Sequence, residues 1–219
     1  MAGSMDSMAE TAHKALLEVE EDPRKKREME EQFASREGMV GVLKKNRQVL
    51  LEIVLVRHVE NYLNYLSGVL FEIFRQRPET LRSSEQVALS DVLSHSSLDQ
   101  FIHAEAEKRV NRLSYSSFGE LSDYFLERFS LQLFPEDEKS LVIEAIEIRN
   151  ISVHNRCIVN ERFCNRTGMD PKKIGKRKEL FIDTLNQVVP ILFAGVRALD
   201  KNARRKLKLK GKRFGELNP

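Results

Sequence analysis

The 219 residues suffice for one domain of ordinary size with extensions, and for a buried core. Hydrophobic residues make up 41% and charged residues 32%, with no Trp, ten Gly and six Pro; this is a soluble, charge-rich composition that favours helix over sheet. Net charge is only +3, which by its size singles out no class of partner, but it is unevenly placed. The first thirty or so residues lean acidic, through Glu18, Glu20, Glu21, Asp22, Glu28, Glu30 and Glu31, whereas Lys201, Arg204, Arg205, Lys206, Lys208, Lys210, Lys212 and Arg213 make the end basic. Lys172, Lys173, Lys176, Arg177 and Lys178 form a second basic cluster. Such clusters attract polyanions, nucleic acid among them, or serve as solvated faces that aid solubility.

No apolar run approaches the roughly 20 residues that cross a bilayer, so no membrane association is expected. Met1 to Glu10 lacks the basic and apolar regions of a signal peptide. Met1-Ala2-Gly3-Ser4 before Met5 reads as a cloning remnant, and residues 1–8 as tag or disordered. Cys157 and Cys164 make no disulfide framework and lack the spacing of a zinc pair; they read as free thiols in a reducing cytoplasm.

Residues 9–38 read as a helical arm broken at Asp22-Pro23, where Asp22 can cap and Pro23 suits a first helical position, with Gly38 as the stop. The longest helical pattern runs from Val40 to Arg77, with Leu43, Leu50, Ile53, Val54, Val59, Leu63, Leu66, Leu70, Ile73 and Phe74 recurring at three- and four-residue steps; the part before Gln48 is separate or bent. Serines punctuate the next fifty residues: a brief helix near Glu85 to Leu93, one opened by the Ser97/Gln100 pattern to about Leu113, and one opened by Ser117/Glu120 to about Leu131. Pro135 starts the next helix, with Glu136, Asp137 and Glu138 in its first turn. Asn155 to Thr167 reads as irregular, Gly168-Met169-Asp170-Pro171 as a turn, and Lys176 to Ala203 as a last helix kinked at Pro190, before a disordered tail from Lys206. The sum is an all-α bundle of four to five main helices over residues 39–200, with a basic tail at 201–219.

One stretch carries chemistry: Glu147-Ile148-Arg149-Asn150-Ile151-Ser152-Val153-His154-Asn155. Leu141, Val142, Ala145, Ile146, Ile148 and Val153 gather on one side of the wheel, and Arg149 falls in the middle of that side. A guanidinium there needs a partner or a ligand; Glu60 and Asn61 on the long helix are candidates to answer it. Arg149 and His154 lie about 140° apart on a regular helix, so they meet on one ligand if the helix loosens or a second chain contributes. Glu147, two turns before His154, reads as solvated. A Gly-rich phosphate loop, a Gly-x-Ser-x-Gly and a His-Glu-x-x-His are all missing, which argues against a nucleotide triphosphatase, a serine hydrolase of that type and a zinc protease. No cofactor is expected.

Arg149-Asn150-Ile151-Ser152-Val153-His154 resembles the Arg-(polar)-x-x-x-His motif of the HEPN superfamily. Glu60-Asn61-Tyr62-Leu63, Ile73-Phe74, Val110 to Phe118 and Val153 to Asn160 look like its RiboL-PSP-HEPN group, over roughly Val49 to Leu199. The resemblance implies a metal-independent endoribonuclease of toxin or defence type, working as a homodimer or higher homo-oligomer whose motifs face one cleft. The 2′-hydroxyl would attack the adjacent phosphate to leave a 2′,3′-cyclic phosphate and a 5′-hydroxyl. Arg149, His154 and Asn150 are then the catalytic set: imidazole titrates near pH 6.5, the forked guanidinium suits phosphorane-like charge, and Asn150 orients either. Lys172, Lys173, Lys176, Arg177, Arg204, Arg205 and Lys206 would hold the RNA backbone. A cognate inhibitor or partner protein is a further candidate partner. Other HEPN members are non-catalytic, so the alternatives are a module binding nucleic acid or a partner protein, and a structural oligomer with Arg149 in a buried ion pair.

Overall fold

Apolar side chains at three- and four-residue steps are buried most simply by packing helix on helix, and every regular element among the described residues is helical. The computed structural model describes the backbone of residues 2–83 and 86–210, and the side chains of 11–35, 41–42, 45–83 and 86–210. The helices are α1 (Ala2–Val19), α2 (Pro23–Lys45), α3 (Arg47–Gln76), α4 (Leu89–Leu93), α5 (Leu98–Ser114), α6 (Phe118–Phe129), α7 (Glu136–Asn155), α8 (Glu161–Thr167) and α9 (Ile182–Leu207). Ser84, Glu85 and the end of the basic tail with Lys212 and Arg213 lie outside the described residues, as does Met1 of the expected cloning remnant.

The chain forms two compact units, Met1–Leu50 and Leu51–Pro219. In the first, α2 begins at Pro23 as its sequence requires, but continues through Gly38 and Gly41 to Lys45. Glycine disfavours a helix interior by roughly 1 kcal/mol against alanine, a cost that neighbouring helix formers outweigh here. Within this unit the His13 imidazole stacks on Phe33, centroids 3.9 Å apart.

The second unit is the bundle. α3 buries Leu51, Leu55, Val59, Tyr62, Leu66, Leu70, Ile73 and Phe74. Val59, Leu66, Leu70, Ile73 and Phe74 are buried as expected, but near its start the helix turns Leu51 and Leu55 inward and leaves Ile53 and Val54 58% and 41% exposed. Both sets keep helical spacing, so periodicity alone does not choose between them. The capping box forms on α6, where Ser117 Oγ accepts from the Glu120 N–H at 3.2 Å and the Glu120 carboxylate accepts from the Ser117 N–H at 2.7 Å. That backbone bond, reinforced by the Ser117 hydroxyl, holds the Glu120 carboxyl below its ordinary pKa. On α5 the Ser97 hydroxyl caps the Gln100 N–H, but Gln100 turns its own oxygen to Ser96 instead.

α7 is the central helix, packed on α6, α8 and α9. Ala145, Ile146, Glu147 and Ile148 are consecutive and all buried, so the middle of α7 is enclosed on every side, whereas Val153, expected on the apolar side, is 48% exposed near its end. It ends with two residues in left-handed backbone, Arg156 (φ 51°) and Cys157 (φ 60°), both bonded back to the Ile151 carbonyl. The chain thereby reverses, and α8 forms where an irregular segment is expected. Asn160 caps the Phe163 N–H at 2.8 Å and Gly168, at φ 70°, closes the helix. α9 begins at Ile182, not Lys176, because residues 175–178 pair with 157–159: Gly175 N–H to Val159 O (2.9 Å), Val159 N–H to Lys176 O (3.0 Å) and Lys178 N–H to Cys157 O (2.8 Å). Helical geometry persists through Pro190 to Leu207, and the Lys210 N–H then bonds Gln76 Oε1 at 2.8 Å, so the part of the expected tail from Lys206 to Lys210 is held against the bundle. By length and composition α9 alone among the described helices could cross a membrane, at a window mean hydropathy of 1.2. It packs Leu185, Val188, Leu192, Leu199 and Ala203 into the core.

Cys157 and Cys164 are buried thiols, unpaired, 0% and 4% exposed. Desolvation pushes the Cys157 thiol above its ordinary pKa, against a lowering hydrogen bond from Ser152. Because the thiolate is the nucleophile, neither cysteine should react with Ellman's reagent in native buffer at about pH 8, and both should react on adding denaturant. Rapid labelling of the native protein would contradict the burial.

Candidate functional site

The αL reversal after Asn155 lays α8 along the C-terminal half of α7. A cleft of about 490 Å³ opens between them, the middle of α3 and the turn joining α5 to α6. Arg149, Asn150 and His154 all line it, so one chain brings the three residues of the motif to one opening without loosening α7. His154 is exposed at its edge and is its sole histidine.

Arg149 is answered as its place on an apolar helix demands. Its Nη2 donates to Glu60 Oε1 at 3.0 Å from α3, and Nη1 to Asn150 Oδ1 at 3.2 Å. Asn61, the other candidate, is exposed. The Arg149 and Glu60 side chains are 25% and 32% exposed, so the pair is half-buried and open to the cleft. Arg149 Nε is buried without a partner, a cost of about 1–3 kcal/mol in a group placed for stability alone.

Glu147 corrects the expectation of a solvated carboxylate: its side chain is 4% exposed, and among the described residues it is the one buried charge. Arg166 Nη1 donates to its Oε1 at 2.9 Å, Asn150 Nδ2 to its Oε2 at 3.3 Å, and Arg162 Nε approaches Oε2 at 3.9 Å. Glu147 therefore fixes which way the Asn150 amide points, presenting the amide oxygen to Arg149. Arg162 and Arg166, four apart on α8, share one helix face. Neither stands out in the sequence while 155–167 is taken as irregular; the signal that marks them is Asn160 as a cap, Glu161 in the first turn and Gly168 as a stop. Three guanidinium groups, of Arg149, Arg162 and Arg166, stand against the carboxylate of Glu147 among the lining residues and that of Glu60 paired with Arg149, an excess of positive charge that suits an anionic ligand.

The basic residues expected to grip a backbone do not line this cleft. Lys172, Lys173 and Lys176 are exposed on the turn before α9. Arg177 donates to Glu52 at 2.7 Å, and that hydrogen bond and charge raise its pKa further. Arg204 pairs with Asp200 at 3.1 Å, Arg205 donates to Asn202 at 3.4 Å, and Lys206 donates to the Ser130 carbonyl.

A separate apolar hollow of about 470 Å³ lies between α3 and the end of α9, walled in part by Val69, Phe71 and Leu209. Tyr65 sits there, its hydroxyl donating to the Val196 carbonyl at 3.3 Å and its pKa pushed up to about 12, first by burial and then by Asp200.

In comparisons with family models, with curated proteins and with solved structures, the chain matches none.

Proposed function

We propose that the cleft is the active site of a metal-independent endoribonuclease of the HEPN type, with Arg149, Asn150 and His154 as its catalytic residues. The observation that carries the reading is their convergence: a half-buried guanidinium, an amide held by Glu147 and an exposed imidazole line one basic cleft. The step needs those parts. The 2′-oxygen forms a bond to phosphorus while the bond from phosphorus to the 5′-oxygen breaks. A proton leaves the 2′-hydroxyl and another reaches the 5′-oxygen, giving a 2′,3′-cyclic phosphate and a 5′-hydroxyl. Imidazole is the group suited to carrying either proton near neutrality. The guanidinium suits the charge that builds on the phosphoryl oxygens. Each cleft has one histidine and the step moves two protons, which favours two copies of the chain facing one RNA.

RNA incubated with the protein in EDTA should yield cyclic-phosphate ends. His154→Ala should slow that cleavage by about 100-fold or more, and Arg149→Ala by a similar factor. If both variants cleave as fast as the parent, the nuclease reading is wrong. The Arg149–Glu60 pair favours one competing reading, in which Arg149 serves stability alone. In that case Arg149→Ala lowers Tm, and RNA stays intact with both the parent and His154→Ala. A non-catalytic module that binds nucleic acid would show salt-dependent binding and no product.

A further inference from the structure

Tyr115 is 93% exposed, the most exposed large apolar side chain in the protein's described part, and it lines the same cleft. Its main chain is nevertheless held. Tyr115 caps the C-terminus of α5, with its N–H bonded to Asn111 O at 3.2 Å, and the capped start of α6 lies two residues further on. A ring carried on a fixed backbone with two side-chain torsions loses little entropy when something packs on it. Left in water the ring contributes nothing to the fold, and no packing in the bundle explains its place.

The ligand that the cleft chemistry calls for explains it. A ribose–phosphate link held at Arg149 and His154 carries a base on either side, and an unpaired base offers a flat apolar face. In a duplex both faces are already stacked and the bases point inward. Beside the cleft, Arg162 is 64% exposed and reaches Glu147 only at 3.9 Å, beyond direct hydrogen-bond range, so it is the cleft cation least committed to the protein. Stacking ring, phosphate cation and catalytic pair together form the elements of a single-strand site.

We infer that Tyr115 is the stacking platform for an unpaired base next to the scissile link, with Arg162 on a flanking phosphate, so that the cleft takes single-stranded RNA. This rests on the ribonuclease reading. It is tested with the full chain carrying His154→Ala, to prevent turnover, and a short fluorescein-labelled RNA, single-stranded or annealed to its complement, titrated by anisotropy at low salt. The single strand should bind more tightly than the duplex. Adding Tyr115→Ala should weaken single-strand binding by about 5- to 150-fold, whereas Tyr115→Phe should retain it, since the ring remains. Arg162→Ala should lower the slope of log affinity against log salt by about one. Equal binding by the Tyr115→Ala chain, or equal binding of duplex, overturns the inference and leaves the nuclease reading intact if the parent cleaves. If the parent neither binds nor cleaves RNA, both fall together.

Discussion

Arg166→Ala should lower stability by about 2–3 kcal/mol, and it should cost more than Glu147→Gln. The two changes break the same 2.9 Å ion pair from opposite ends. Removing the arginine strands a carboxylate only 4% exposed, left with one amide at 3.3 Å and one guanidinium at 3.9 Å. An uncompensated buried charge costs about 3–5 kcal/mol; the remaining partners and the 36% exposure of Arg166 reduce that figure here. Removing the carboxylate's charge instead strands only cations, and those at Arg166 and Arg162, 36% and 64% exposed, can turn to water. Glutamine keeps one oxygen, for Arg166, while its amide nitrogen then faces the Asn150 amide, so one hydrogen bond of the two is lost. A cost of about 1 kcal/mol is expected, that of an ordinary hydrogen-bond rearrangement. Urea unfolding of both variants decides the matter. Equal costs, or the reverse order, would show that burial of the Glu147 carboxylate does not set the cost of breaking the pair.

The second large effect runs against helix propensity. Gly195 lies inside α9, where alanine would ordinarily gain roughly 1 kcal/mol. A Cβ at that position would sit 2.9 Å from Phe134 Cζ and 3.2 Å from Cδ1, and closer still to Cε1. The Phe134 ring is 5% exposed and is wedged against Tyr62 and Phe118, centroids 5.3 and 6.2 Å away. It has no open side to swing toward. Overpacking of this kind costs about 1–3 kcal/mol, so Gly195→Ala should be destabilising on balance. Phe134→Leu placed in the same chain should recover part of the loss. A Gly195→Ala protein at least as stable as the parent would mean that α9 does not press on Phe134.

Helix starts are legible in the sequence wherever local chemistry decides them. Pro23, Ser97, Ser117 and Pro135 each start a helix where they stand, because a cap or a fixed φ acts within one turn. The need for an answer to Arg149, and Glu60 as one of its candidates, come from a charge on an apolar helix. Three features escape the sequence for a shared reason: α3 buries Leu51 and Leu55 rather than Ile53 and Val54, the middle of α7 is covered all round, and Glu147 is buried. Each turns on which neighbour covers which face, and a helical period carries no such information. The start of α9 is displaced by pairing of 175–178 with 157–159, a contact between segments far enough apart that neither announces it.

By itself, then, the order of residues determined an all-helical chain and placed an arginine, an amide and an imidazole within six positions of one another, since helix formation and caps depend on near neighbours. Only the tertiary structure decided that these three open onto one cleft, that α8 supplies two further guanidinium groups to it, and that Glu147 lies buried beneath them. Those outcomes depend on the reversal at Arg156 and Cys157 and on burial of the middle of α7 from all sides, which are properties of the packed bundle rather than of any one segment.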